Sequence, residues 1–355
     1  MKVHSPILAN LCNNAKDDVK QHALIRYFTC IRYIILSSFS SLLACMATGV
    51  NCSVNDDIDI IPPKLSQNFV IISWNVLHII HELNYAQNLS LVINHYSINE
   101  NSSNEKLRLH DIIKVLRKLL SEHSTMECFI CLQEVPGDLL PMLIEMSDSH
   151  TNLGLTSKPL IHVHVYSRKP SLMDRQRDSP YFDSNESLVT IHYNPCLDSS
   201  AQHISPDDRV LWTPCPTDAG KGALTVMMTS GLTVVNVHVP YDNQAATLLL
   251  SNIPWPENSN GFVCVGDMNR YSKGLMKMIA EVTDDKRGTH QLYPIKTEKP
   301  TRVGLEHDGT HNKTFIDYFV ISASLKGLAN YPAIVFDDIG DISDHYPILL
   351  EFKDQ

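Results

Sequence analysis

Phe69-Val70-Ile71-Ile72-Ser73-Trp74-Asn75 is an apolar run that stops on an amide. It reads as a buried strand ending in a polar residue. The pattern returns along the chain. Cys128-Phe129-Ile130-Cys131-Leu132 runs into Gln133-Glu134, and Leu232 to Val239 contains Asn236-Val237-His238. Phe262 to Val265 leads into Gly266-Asp267-Met268-Asn269, and Ser343-Asp344-His345 stands just before the apolar stretch Pro347 to Phe352. A strand that ends in Asp or Asn is, taken singly, an ordinary turn. Five such signatures in this order call for another explanation, because buried carboxylates and amides are costly unless something compensates them.

Further strands are expected at Ile161–Tyr166, Ser187–Tyr193, Ala223–Thr229 and Phe315–Ile321, and Ser230-Gly231 suits a hairpin between Ala223–Thr229 and Leu232–Val239. Helices are expected near 137–147, 243–250 and 272–281. The clearest helix is Glu105 to Leu120, where Leu109, Ile112, Ile113, Leu116, Leu119 and Leu120 keep helical spacing. Arg108, Asp111, Lys114, Arg117 and Lys118 are placed on the opposite, polar face. Many strands with helices between them argue for an α/β protein built from packed sheets. Cys128 and Cys131 form a CxxC, but positions three apart on a strand face opposite sides, so they are read as two core cysteines. His162 and His164 are read as surface or satisfied core residues, and Asp284-Asp285 and Asp337-Asp338 as solvated loops.

The chain divides at about residue 66. Tyr33 to Val50 carries no charge, Arg26 and Arg32 precede it, and Asp56, Asp57 and Asp59 follow. A basic flank and a short apolar core fit a secretory signal, and the length is at the lower limit for a membrane-spanning helix. Residues 1–66 are therefore expected to be an apolar signal or anchor with a polar linker, and the protein to be exported or membrane-associated. The alternative is a cytoplasmic protein in which this segment is a buried helix. The net charge is −10, and residues 1–66 contribute +1, which leaves −11 for 67–355. An acidic body does not advertise sequence-independent nucleic-acid binding through Lys and Arg. It does not exclude a nuclease, since metal-binding carboxylates add negative charge that a cation offsets.

Asn, Asp and Glu are the oxygen ligands that Mg²⁺ or Mn²⁺ prefers. The CxxC has no partner pair and there is no HExxH, so zinc is not indicated. With these residues in this order, the sequence from about residue 69 to the C-terminus resembles the endonuclease/exonuclease/phosphatase superfamily, the deoxyribonuclease I-like phosphoesterases. The resemblance implies two packed mixed β-sheets flanked by helices, a four-layer α/β/β/α sandwich with its site at one end. It implies Glu134 as main metal ligand, with Asn75 and Asp344 beside the metal. It implies Asp267 and Asn269 positioning the attacking water and the phosphate, with His345 and His238 on the scissile phosphate. Asp317 is matched to the Asp that orients His345, and Glu186 to a Glu that supports His238. Asp267 and His345 are both candidates to take a proton from water, and His238 or the metal to serve the leaving oxygen.

The substrate is less legible. Val76-Leu77 after Asn75 resembles deadenylase-like members, whereas Arg270 after Asn269 resembles the toxin nuclease and tyrosyl-DNA phosphodiesterase members and is a candidate phosphate contact. A nuclease acting on DNA or RNA is the first expectation. A phosphoinositide phosphatase or sphingomyelinase-type enzyme is the second, and a catalytically inactive binding module the third.

Overall fold

The computed structural model describes residues 68–79, 102–150, 160–168, 185–195, 209–218, 220–228, 230–255, 261–283, 292–305 and 308–353. The 1–66 segment, and with it the apolar stretch 33–50, lies outside them. Among the described residues no helix is long and apolar enough to cross a membrane.

Two six-stranded mixed sheets dominate. The first contains β1 (Phe69–Asn75), β2 (Glu127–Pro136), β3 (Leu160–Arg168), β4 (Glu186–Asn194), β13 (Ala329–Val335) and β14 (Ile348–Phe352), in the order β13-β14-β1-β2-β4-β3. The second contains β5 (Arg209–Pro214), β6 (Gly222–Met227), β7 (Leu232–His238), β8 (Gly261–Asp267), β9 (Leu292–Ile295) and β12 (Asp317–Ser322), in the order β5-β6-β7-β8-β12-β9. A separate hairpin pairs β10 (Arg302–Leu305) with β11 (His311–Thr314). The helices are α1 (Ser102–Glu122), α2 (Leu140–His150), α3 (Asn243–Ser251) and α4 (Ser272–Val282).

Alternation along β1 shows why its sequence is apolar throughout. Val70, Ile72 and Trp74 pack with Leu109, Ile112 and Leu116 of α1. Phe69 and Ile71 pack with Val234, Val263 and Phe319 of the other sheet. On the far side Val235, Phe262 and Val320 meet Leu249 of α3 and Leu275 of α4. A strand with both faces covered has no room for polar alternation, and the result is the four-layer α/β/β/α arrangement. Cys128 joins the helix-side cluster and Cys131 the cluster between the sheets, as expected for positions three apart. Both thiols are unpaired, and burial pushes that of Cys131 up to about 12.

Topology gathers the signatures at one edge. β1 and β2 run parallel, so Asn75 and Gln133-Glu134 lie at the same end. β7 and β8 also run parallel, with His238 beside Asp267. Their antiparallel partners begin where they end: β4 at Glu186 opposite Pro136, β12 at Asp317 opposite Asp267, β6 at Gly222 opposite His238. Ser343-Asp344-His345 enters β14, which pairs antiparallel with β1. Gly266 sits at φ +147°, and a Cβ there would lie 1.9 Å from the Val237 carbonyl oxygen. Glycine at this point is what lets β8 approach β7.

Arg108 departs from its expected solvent face. It is buried, with Nε and Nη2 donating to the Glu105 carboxylate, Nη1 to the Val76 and Ile342 carbonyls, and Nη2 also to Leu77 O. Helical spacing placed it on the polar side, but the ends of β1 and the Ser343 loop close over this part of α1 and supply acceptors for every guanidinium N–H.

Candidate active site

Glu134 owes its place to a backbone irregularity. The β2–β4 register shifts between Leu132 and Val135, and Glu134 has φ +52°. Leu132 and Val135 both join the helix-side cluster although three apart, so the bulge at 133–134 swings Glu134 to the strand end. The carbonyls of Leu132 and Val189 at this break both accept from Asn236 Nδ2 at 3.0 Å. Asn236 Oδ1 in turn accepts from Gln133 Nε2 at 2.7 Å. This buried amide pair joins the two sheets directly beneath the site. Leu77 and Asn269 also have positive φ, +59° and +51°. Non-glycine residues in that region cost about 1–3 kcal/mol each and persist where their surroundings dictate them. Here all three flank one cluster of polar side chains.

Asp267 is central to that cluster. Its Oδ2 accepts from Asn75 Nδ2 at 3.1 Å and lies 3.3 Å from His238 Nε2 and 3.7 Å from His345 Nε2. Its Oδ1 accepts from the Asn269 backbone N–H at 2.8 Å. Burial alone would raise its pKa. His345, His238 and Lys221 outweigh that and hold it well below the usual carboxylate range. Asn75 is oriented by Leu77 N–H, which donates to its Oδ1 at 3.0 Å.

His345 is paired with Asp317, Nδ1 lying 2.9 Å from Oδ2 and 3.1 Å from Oδ1. Thr301 Oγ1 accepts from the Ile316 and Asp317 backbone N–H groups and so fixes the start of β12. The loop that carries His345 is tied to β1: Ser343 Oγ donates to Asn75 O at 2.7 Å, and Trp74 Nε1 to His345 O at 2.9 Å. Burial pulls the His345 pKa down, but Asp317, Asp344 and Asp267 outweigh it and push it up to about 10. The imidazole therefore carries a proton at neutral pH.

His238 has a neighbour that the sequence did not announce. Lys221, just before β6, places Nζ 2.5 Å from His238 Nε2 and 3.5 Å from Glu134 Oε1. Among the described residues the ring's partners are Lys221, Glu134 and Asp267. Glu186 is buried at the start of β4 and reaches the site through its charge on Lys221. Burial lowers the Lys221 pKa, but Glu134, Glu186, Asp267 and Asp218 outweigh it and push it up to about 12. Arg302 was also unannounced; its Nε donates to Asp344 Oδ2 at 2.7 Å. No periodicity marks either cation. Only the pairing of Gly222 with His238 and of Arg302 with His345 brings them in.

Asn269 and Arg270, expected at the phosphate, make these contacts to loops. Asn269 Nδ2 donates to Val239 O at 2.8 Å. Arg270 Nη2 donates to Pro240 O at 2.8 Å and Tyr241 O at 3.2 Å. Together they tie the loop after β8 to the loop after β7.

The donor set fits a divalent cation. Glu134, His238 and Asp267 each offer a ligand atom, all within 4.8 Å of one another. Among the described residues, Asp344 Oδ1 is buried and has no hydrogen-bond partner, which is costly unless a cation or ligand answers it. Glu134 belongs to this set. Asn75 directs its Nδ2 at Asp267, and Asp344 shares its carboxylate with Arg302.

No family model and no curated protein matches the chain. Among solved structures it is similar to an endonuclease/exonuclease/phosphatase protein from Bacteroides vulgatus, at 12% identity over 82% of this chain and 100% of that one, TM-score 0.48. It is also similar to ANGEL2, a 2',3'-cyclic phosphatase in complex with adenosine-2',3'-vanadate, at 13% over 81% and 95%, TM-score 0.46. TDP2 from D. rerio, complexed with single strand DNA product, matches at 15% over 81% and 99%, TM-score 0.44.

Proposed function

We propose that this protein is a divalent-cation-dependent phosphoesterase, with Mg²⁺ or Mn²⁺ as cofactor and nucleic acid as substrate. The observation that carries the reading is the convergence of Glu134, His238 and Asp267 with the Asp317–His345 pair at one edge of both sheets. Glu134, Asp267 and His238 would hold the cation. Bound there, the cation would polarise a phosphoryl oxygen and acidify a water.

The protein's own groups take the remaining roles. Asp317 accepts from His345 Nδ1–H, which leaves Nε2–H to be offered to substrate. As a cation, His345 stabilises the extra negative charge of a five-coordinate phosphoryl group and can return a proton to the leaving oxygen. Asp267, held ionised and oriented by Asn75, is placed to accept the proton of the attacking water. Asn269 and Arg270 position the loops after β8 and β7, and Glu186 steadies Lys221 beside His238.

The test is turnover by the full chain, with Mg²⁺ or Mn²⁺ against a chelator. The substrates are bis-p-nitrophenyl phosphate, plasmid DNA, poly(A) RNA, phosphoinositides and sphingomyelin. DNA or RNA is expected to be cleaved, and Glu134→Gln and His345→Ala to lower kcat by about 10²–10⁴-fold. Lipid or inositol phosphate turnover alone would replace the substrate assignment. No turnover on any substrate would leave a binding module. Residues 33–50 belong to the same proposal as an export signal or anchor. A reporter fused after residue 60 that stays soluble in the cytoplasm would remove that part.

A further inference from the structure

Arg302 is fixed on three sides. Its strand is stitched to the His345 loop, since Val303 N–H donates to Asp344 O at 2.7 Å and Tyr346 N–H to Thr301 O at 2.8 Å. Its Nε is clamped by Asp344 Oδ2 at 2.7 Å. Its guanidinium lies flat against Gly304: a Cβ at that glycine would fall 2.7 Å from Nη1 and 2.9 Å from Cζ and Nη2. An arginine whose only task is to neutralise a carboxylate usually does so with a two-pronged fork. Here the carboxylate takes Nε alone. Among the described residues, the Nη1 and Nη2 donors have no protein acceptor, and the side chain keeps 23% of its surface exposed. Tyr241 and Asp267 lie within its electrostatic reach, and His345 is its backbone partner.

We propose that Arg302 is the substrate-phosphate arginine of this site, its Nη1–H and Nη2–H groups binding non-bridging phosphoryl oxygens next to His345. The inference rests on the phosphoesterase reading and adds the group that recognises the anion. Asp344 then divides its carboxylate: Oδ2 aims the guanidinium, and Oδ1 stays on the His345 side. Gly304 becomes a positioning residue, because a side chain there would push the guanidinium off its seat without removing its charge. Arg270 is the contrast, with its Nη2 bound to the Pro240 and Tyr241 carbonyls.

The experiment uses the full chain with Mn²⁺ and inorganic phosphate as probe. Binding is read by calorimetry, and inhibition of bis-p-nitrophenyl phosphate turnover is read as Ki and KM. Arg302→Met is expected to weaken phosphate binding and raise KM by about ten- to a hundredfold. Arg302→Lys, which keeps charge but loses the planar fork, should fall between. Gly304→Ala covers the case in which Arg302→Met fails to fold. It retains every charge, and should weaken phosphate several-fold while leaving the thermal midpoint without phosphate unchanged. Phosphate affinity equal to wild type in the folded variants, or no phosphate binding by wild type, overturns the inference. The two readings separate cleanly. Turnover with unaltered phosphate dependence in the variants sinks Arg302 and keeps the enzyme. Phosphate binding lost in the variants, with no substrate turned over, sinks the enzyme and keeps the anion site.

Discussion

Removing the Arg108 guanidinium should be among the most damaging single changes outside the site. All five of its N–H donors are engaged at 2.7–2.8 Å, two by Glu105 and three by the carbonyls of Val76, Leu77 and Ile342. Arg108→Met leaves a buried carboxylate without its counter-charge, which costs about 3–5 kcal/mol. It also strands three carbonyls at about 1 kcal/mol each where water does not reach them. The expected loss is about 5 kcal/mol or more, against a total stability of about 5–15 kcal/mol for a typical domain. Arg108→Lys keeps the charge, but its three donors replace five, so a loss of about 2 kcal/mol is expected. Adding Glu105→Gln to Arg108→Met removes the stranded charge and should recover part of the loss. Urea unfolding of the full chain, followed by circular dichroism, measures all three. The lysine variant should also lower kcat, because Val76 follows Asn75 and Ile342 precedes Ser343. An Arg108→Met protein within about 1 kcal/mol of wild type would refute the account, since it would mean that water already serves these groups.

Asn236→Ala removes the donor shared by the Leu132 and Val189 carbonyls at the Glu134 bulge. It should cost about 2–4 kcal/mol in urea unfolding and speed amide exchange around Glu134. Gly266→Ala sets a Cβ 1.9 Å from Val237 O, a clash with backbone that no rotamer relieves. A thermal midpoint lowered by the equivalent of about 3 kcal/mol or more is expected, and an unchanged midpoint would contradict the β7–β8 approach. Cys128, Cys131 and Cys264 are buried, with thiol pKa values raised mainly by burial. Mass spectrometry should find these three unmodified after native iodoacetamide treatment at pH 8 and modified after unfolding. Mn²⁺ at a hundredfold excess over its Kd should stabilise the protein by about 2.7 kcal/mol, and Glu134→Gln should abolish most of that gain in a thermal melt.

Strands buried on both faces were readable because their sequences have no alternative use. β1, β2, β7 and β8 are mostly apolar, and the polar groups toward their ends mark the site. β5, β9, β13 and the β10–β11 hairpin went unseen for the opposite reason. β5 exposes Val210, Leu211 and Trp212, β11 is almost wholly exposed, and β13 carries Pro332 and a register shift. Edge strands take their form from a neighbour rather than from their own hydrophobic pattern. The acidic half of the site was legible for the same reason as the strands, because Glu134, Asp267 and Asp344 sit at fixed offsets from them. The basic half was not. Lys221 stands just outside the apolar run of β6, Arg302 begins a short strand of the β10–β11 hairpin, and Arg108 obeys helical spacing that places it outside.

Under the proposed function, that basic half is what lets an acidic body act on a phosphoester. Glu134, Glu186, Asp267, Asp317 and Asp344 put five carboxylates in one buried cluster. Lys221, Arg302 and protonated His345 answer three of them. Two negative charges are left for a divalent cation to answer, which is why the donor set makes electrostatic sense as a cation site. Exposed charges away from the site are screened beyond about 10 Å at moderate salt. A phosphate that reaches Arg302 therefore meets local cations, not the net charge of the chain. Affinity should accordingly depend less on ionic strength than it does for proteins that grip nucleic acid through many exposed lysines, and that difference follows from placing the cations in the site rather than on the surface.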